Sequence, residues 1–162
     1  MGRVAVAIAL GSNVGDRESH LAFAHAQLSA RLDGCQLSSV IETAPVDVPG
    51  DPLPFLNAAL TGLTDLSPAE LLTLLHEIEQ ARGRDRPFRN APRTLDLDLI
   101  LFGTTVIRSP DLVVPHPRFR TRLFVLEPLA EIAPNAIDPV TGLTIRALYD
   151  LAQAQVPNRP AG

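Results

Sequence analysis

Asp96 and Asp98 stand two residues apart in the run Arg93-Thr94-Leu95-Asp96-Leu97-Asp98-Leu99-Ile100-Leu101, one of the most apolar stretches of the chain. In an extended strand alternate side chains share a face, so Thr94, Asp96 and Asp98 project one way and Leu95, Leu97 and Leu99 the other. Two carboxylates brought together like this each raise the cost of ionising the other. Burial adds to that cost unless a cation or several donors compensate. Oxygen-only ligands suit magnesium, which keeps several waters and takes one or two protein carboxylates together with substrate phosphates. The pair therefore points to metal-assisted chemistry on a nucleotide polyphosphate. On the solvated face of an edge strand the same Asp-x-Asp would coordinate nothing, and its neighbours decide between the two readings.

All 14 basic residues are arginine. Arg82, Arg84, Arg86, Arg89 and Arg93 precede the acids, and Arg118, Arg120 and Arg122 follow them. A guanidinium meets phosphate oxygens bidentately and stays charged, so these runs suit anion clamps around a metal-bound polyphosphate. Gly83, Pro87 and Pro92 make the first run a surface loop whether or not it binds anything.

At 162 residues, 46% of them hydrophobic, the chain is expected to form one domain with its own core, spanning 1–162. The lone Cys35 has no internal disulfide partner, and no basic-then-apolar leader is visible, so the expected setting is cytoplasmic, with no membrane anchor. A net charge of -4 argues against sequence-independent nucleic-acid binding.

The elements that must position the acids follow from local pattern. Arg3 to Leu10 reads as a buried strand ending at Gly11, and Val14, Leu21, Ala24, Leu28 and Leu32 recur at helical spacing until Asp33-Gly34. Leu37 to Thr43 and Phe55 to Leu63 read as strands. Between them, Pro45, Pro49, Pro52 and Pro54 leave a long irregular stretch, a candidate lid. Ser67-Pro68-Ala69-Glu70 has the form of a capping box ahead of Leu71, Leu74, Leu75 and Ile78. After the acid strand come a short strand near Val106-Ile107 and a helix over Thr121–Glu131 broken at Pro128. The order strand, helix, strand, strand, helix, strand predicts a ferredoxin-like α+β sandwich, an antiparallel sheet with its helices on one face and the site on the other.

Gly11-Ser12-Asn13-Val14-Gly15, Thr43-Ala44-Pro45, Phe55-Leu56-Asn57-Ala58, Glu77-Ile78-Glu79, Gly83-Arg84, Pro92-Arg93-Thr94-Leu95-Asp96-Leu97-Asp98 and Val114-Pro115-His116-Pro117-Arg118 occur in that order. Over roughly residues 4–134 the chain resembles the 6-hydroxymethyl-7,8-dihydropterin pyrophosphokinases of folate biosynthesis. The resemblance implies the same ferredoxin-like fold and transfer of the pyrophosphoryl group of ATP to the pterin's hydroxymethyl oxygen, with release of AMP. It assigns Asp96 and Asp98 to two Mg2+ ions, Arg84 and Arg93 to catalysis on the phosphates, and Leu72, Glu79, Leu99, His116 and Arg122 to positions around ATP. It further assigns Thr43, Val46, Phe55, Asn57 and Phe124 to the pterin, with the two phenylalanines flanking the ring and Asn57 at its edge. His20, His25 and His76 are left as structural or solvent-facing, and the protein is expected to be a monomer.

Two positions depart from the family pattern. Asn90 replaces a tryptophan that helps seal the pterin pocket, and Asp111 stands where some members carry an ATP-binding arginine. Three other functions compete. A nucleotidyltransferase would use the same acid pair but attack the α-phosphorus. A P-loop kinase needs a lysine this chain lacks, and an RNA-binding module of the same fold needs a basic, aromatic sheet face.

Overall fold

The apolar run after Arg3 forms β1 (Val4–Ser12), which lies between β4 (Phe55–Thr64) and β5 (Asp96–Phe102) and runs antiparallel to both. This computed structural model describes residues 3–13, 15–43, 54–83 and 95–156. On the far edge of β4 pair β2 (Asp33–Leu37) and β3 (Ile41–Thr43), giving the order β2-β4-β1-β5 with β3 beside β4. With α1 (Arg17–Arg31) and α2 (Pro68–Gly83) connecting the strands, this is the ferredoxin-like arrangement expected. A two-stranded hairpin of β6 (Ile107–Arg108) and β7 (Val113–Val114) follows.

Strand alternation decides which residues meet the two crossover helices. Val6, Ile8 and Leu10 of β1, Leu56 and Leu60 of β4, and Leu97 and Leu99 of β5 pack against Leu21, Ala24 and Leu28 of α1 and Leu71, Leu75 and Ile78 of α2. The expected capping box is present, with Ser67 N–H donating to Glu70 Oε1 (2.8 Å) and Glu70 N–H to Ser67 Oγ (3.1 Å). α1 starts at Arg17 rather than Val14. Gly15, at φ +69°, turns the chain left-handed, and the Asp16 carboxylate then caps Ser19 N–H.

Three features differ from the pattern read in the sequence. The strand expected over 37–43 is two segments, because Ser38 Oγ accepts from Ala59 N–H (2.8 Å) where a backbone carbonyl would otherwise do so. The helix expected to break at Pro128 continues through it as α3 (Leu123–Ile132). A further helix, α4 (Ile145–Ala154), capped by Thr144, packs beside α3. Together α3 and α4 bury Ala7, Ala9, Ala59 and Ile100 on the sheet face expected to be open. What stays uncovered is one end of that face, around Gly11, Asn57 and Asp96, which are register partners across β1, β4 and β5.

The turn leading into α3 is fixed by a buried ion pair. Asp138, fully buried, accepts from Arg120 Nε (2.6 Å) and Nη2 (3.1 Å), from Val140 N–H and from the Thr141 hydroxyl. Burial pushes its carboxyl up, but Arg120 and the other donors outweigh this and leave it below the usual range. The stability it contributes is present above the ordinary carboxylate pKa and lost as pH falls through the lowered value. Asp138→Ala should therefore cost about 3 kcal/mol at pH 7 by chemical denaturation, with a smaller penalty near pH 3. Ser38→Ala should cost about 2 kcal/mol in the same assay, because the buried Ala59 N–H loses its partner.

Candidate functional site

β5 is the outer strand of the sheet, and its alternation is as expected: Leu95, Leu97 and Leu99 are buried in the core, whereas Asp96 and Asp98 are half-buried on the opposite face. Its free edge is not left to solvent. Glu79 of α2 accepts from Leu97 N–H (2.8 Å), gripping the backbone between the two acids. Farther along, the register slips between Ala7 and Ile8, so that Ile100 is an extra residue and both Ile100 and Leu101 turn toward α3 and α4. The acids occupy the last regular turns of the pleat before that bulge.

Among the described residues, two cavities border the acids. The larger, about 190 Å3, is lined by Leu72, His76 and Glu79 of α2, Leu97, Asp98 and Leu99 of β5, Asp111, Leu112 and Val113, and His116. Leucine and valine walls with a few polar groups suit a nucleoside. Of the residues assigned to ATP, Leu72, Glu79, Leu99 and His116 all line it. His116 Nδ1 accepts from Arg118 N–H (3.1 Å), which leaves Nε2 as the hydrogen-bearing nitrogen of the neutral ring. Burial first, then the charges of Arg122 and Arg118, hold its pKa below the ordinary value against the pull of Asp96. His116 thus lies within electrostatic reach of both an acid of the pair and Arg122. Arg122 itself stacks over the Phe124 ring, 5.6 Å from its centre.

The smaller cleft, about 30 Å3, is lined by Ala9, Leu10, Gly11, Asn57, Asp96, Asp98, Phe124 and Val125. Asn57 is buried, and its Nδ2 donates to Thr43 Oγ1 (2.7 Å), which turns its Oδ1 toward Gly11. Phe55 is the register partner of Thr43 and lies two residues from Asn57 on the same face of β4. Phe124 is 38% exposed on the opposite wall. Asp98 borders both cavities.

Among the described residues, no group of three or more His, Cys, Asp and Glu side chains is placed to enclose a metal ion. A pair of carboxylates fits a cation that completes its shell with water and phosphate oxygens, which is magnesium's habit.

Arg84, Arg93 and Val46 lie outside the described residues, as do Asn90 and most of the candidate lid. Gly11, His76 and Asp111 are among the lining residues that received no role in the site from the sequence. Gly11 reads there as the end of a strand, yet a Cβ at that position would stand 3.1 Å from Asn57 Oδ1, so its missing side chain is what leaves room in the cleft. His76, expected to be structural or solvent-facing, is exposed yet lines the larger cavity, as does Asp111. Asn13, two residues beyond Gly11, keeps Oδ1 buried with no hydrogen-bond partner among the described residues.

Comparison with known proteins gives consistent findings. Residues 7–134 match the family described as 7,8-dihydro-6-hydroxymethylpterin-pyrophosphokinase (HPPK). The chain is 50% identical over 127 residues to 2-amino-4-hydroxy-6-hydroxymethyldihydropteridine pyrophosphokinase of Bacillus subtilis, covering 77% of this chain and 75% of that protein. It is 39% identical over 137 residues to the Aquifex aeolicus protein of the same description, covering 83% and 84%. It is also 44% identical over 135 residues to the mitochondrial folate synthesis bifunctional protein of Arabidopsis thaliana, covering 82% of this chain but only 24% of that one. Among solved structures, wild-type HPPK-DHPS of Plasmodium falciparum superposes with a TM-score of 0.73 at 15% identity, over 94% of this chain and 44% of that one, which shows the shared fold. A sheet end left open beside an acid pair and an asparagine cleft thus belongs to a chain that the sequence comparisons place, over most of its length, in the 7,8-dihydro-6-hydroxymethylpterin-pyrophosphokinase family.

Proposed function

We propose that the chain transfers the pyrophosphoryl group of ATP to the hydroxymethyl oxygen of 6-hydroxymethyl-7,8-dihydropterin, giving AMP and the pterin diphosphate. Membership of the family makes it an ATP-dependent diphosphotransferase of folate synthesis. The observation that carries the assignment to this site is the position of Asp98 on the wall shared by the two cavities, where a nucleotide polyphosphate and a pterin alcohol would meet.

In this reading ATP occupies the larger cavity, its base against Leu72, Leu99 and Val113. Asp96 and Asp98 would hold the divalent cations, two of them, which would neutralise charge on the polyphosphate. His116 Nε2–H and Arg122 face the same phosphates as donors. Arg84 and Arg93, assigned by the family resemblance alone, would stabilise the transferred group. The reaction needs no covalent nucleophile on the protein, because charge spread over the transferred phosphoryl oxygens is stabilised by positioned cations and donors. The pterin enters between Phe124 and the β4 wall carrying Phe55, with Asn57 Oδ1 meeting its amino edge and the backbone near Thr43 and Val46 completing the recognition. At about 30 Å3 the cleft is smaller than a bicyclic ring, so it must widen for the pterin to enter. We also propose a single domain over 1–162, since α4, beyond the family match, buries Ile145 and Leu148 in the same core as β1 and α3.

Product identity tests the reaction: phosphorus NMR should show AMP, whereas pyrophosphate release would indicate nucleotidyl transfer instead. Asp96→Ala and Asp98→Ala should each lower kcat by about a thousandfold or more while leaving the circular dichroism spectrum unchanged. Phe124→Ala should raise KM for the pterin roughly tenfold with a smaller change in kcat, and Arg93→Ala should act mainly on kcat.

A further inference from the structure

The first turns of α1 hold elements from both sides of the site. Arg17 Nη1 donates to the Pro54 carbonyl (2.6 Å), at the residue that leads into Phe55 and β4. Two and three residues on, Ser19 and His20 receive the guanidinium of Arg82 from the last turn of α2. Its Nε donates to His20 Nδ1 (3.0 Å) and its Nη2 to Ser19 Oγ (2.8 Å), while its central carbon lies 4.8 Å from the centre of the Phe23 ring. β4 carries Phe55 and Asn57, and α2 carries Leu72, His76 and Glu79. One short stretch of α1 is therefore bonded to the pterin-side strand and to the nucleotide-side helix.

The chemistry of this clasp selects one state of the imidazole. A guanidinium only donates, so Nδ1 must offer its lone pair and the ring must be neutral, with its hydrogen on Nε2. A protonated ring could not accept and would set two cations against each other. Among the described residues, the charges acting on His20 are Arg82 from α2 and Asp16 from its own helix. Burial, followed by Arg82, holds the His20 pKa below its ordinary 6.5, against the pull of Asp16. The sign follows: the clasp is intact above the ordinary histidine range and is lost as pH falls through the lowered value. The proposed reaction uses neither His20 nor Ser19, and Arg82, read in the sequence as part of an arginine run suited to phosphates, has its guanidinium on these two side chains instead.

We propose that Arg82, Ser19 and His20 form a positioning clasp that registers α2 against α1, whose Arg17 holds the residue before β4, and that protonation of His20 releases it and weakens nucleotide binding. The proposal rests on placing ATP in the cavity beside α2. His20→Asn is the discriminating variant, because asparagine Oδ1 can stand where Nδ1 stands and accept from Arg82 without titrating. Calorimetry with a non-hydrolysable ATP analogue and Mg2+ should give equal affinities for the parent and His20→Asn at pH 8. At pH 5.5 the parent should lose about fivefold more affinity than His20→Asn, and in an Arg82→Gln background the two should respond identically. NMR titration of the His20 ring should show its pKa rising toward the ordinary value in Arg82→Gln. Parallel losses in the parent and His20→Asn, or an unchanged His20 pKa in Arg82→Gln, would overturn the clasp. Leu72→Trp, which fills the cavity, separates the two ideas: if it leaves ATP affinity unaltered, the placement of the nucleotide is at fault rather than the clasp.

Discussion

Leu95, Leu97 and Leu99 are 3%, 4% and 4% exposed, and their burial under α1 and α2 is the constraint on which the site depends. Each contributes roughly 2 kcal/mol in favour of the observed face of β5. A slip of one residue would turn all three outward and drive Asp96 and Asp98 into the core, where unpaired charge costs several kcal/mol more. The convergence of the acids on the open face is thus enforced from the far side of the sheet. Glu79 adds a second restraint by holding Leu97 N–H, so the backbone between the acids is fixed along its edge as well as through its leucines. The bulge at Ile100 ends the regular pleat and lets the rest of the strand serve the other core.

That second core explains why the open surface is small and well bounded. Alanines at 7, 9 and 59 let α3 approach the sheet closely, and α4 closes over α3 from outside. The Arg120–Asp138 pair ties the turn at Phe119–Thr121 to the loop before α4, and Arg122 and Phe124 follow directly from that turn. Ser39 binds Glu131 through both its N–H and its hydroxyl, fastening α3 to the edge of the sheet. The wall that carries Phe124 is therefore anchored at both ends, while the Phe124 ring itself remains on the surface.

Patterns carried within one element were legible in the sequence. The leucine and aspartate alternation of β5, the Ser67–Glu70 box and the spacing of Leu71, Leu75 and Ile78 each report on local geometry, and each is present as read. What was missed depends on contacts distant in sequence. Pro128 costs a helix about 3 kcal/mol in isolation, but the burial of Val125, Leu126 and Leu129 at roughly 2 kcal/mol each outweighs it. Ser38 interrupts a strand because its hydroxyl meets Ala59, a pairing that no local pattern announces. Gly11 looks like the end of a strand until Asn57 and Asp96 are seen on either side of it. The acid pair, Asn57 and His116 were singled out by type and spacing together with family resemblance, and all four line the candidate cavities, whereas His76 carried no signal beyond an exposed position on a helix.

Placing the cations tests the account most directly. In crystals grown with Mn2+ in place of Mg2+, a non-hydrolysable ATP analogue and 6-hydroxymethyl-7,8-dihydropterin, anomalous scattering should show manganese bound to Asp96 and Asp98 and to phosphate oxygens of the nucleotide. Manganese bound elsewhere, or a triphosphate seated away from both aspartates, would contradict it.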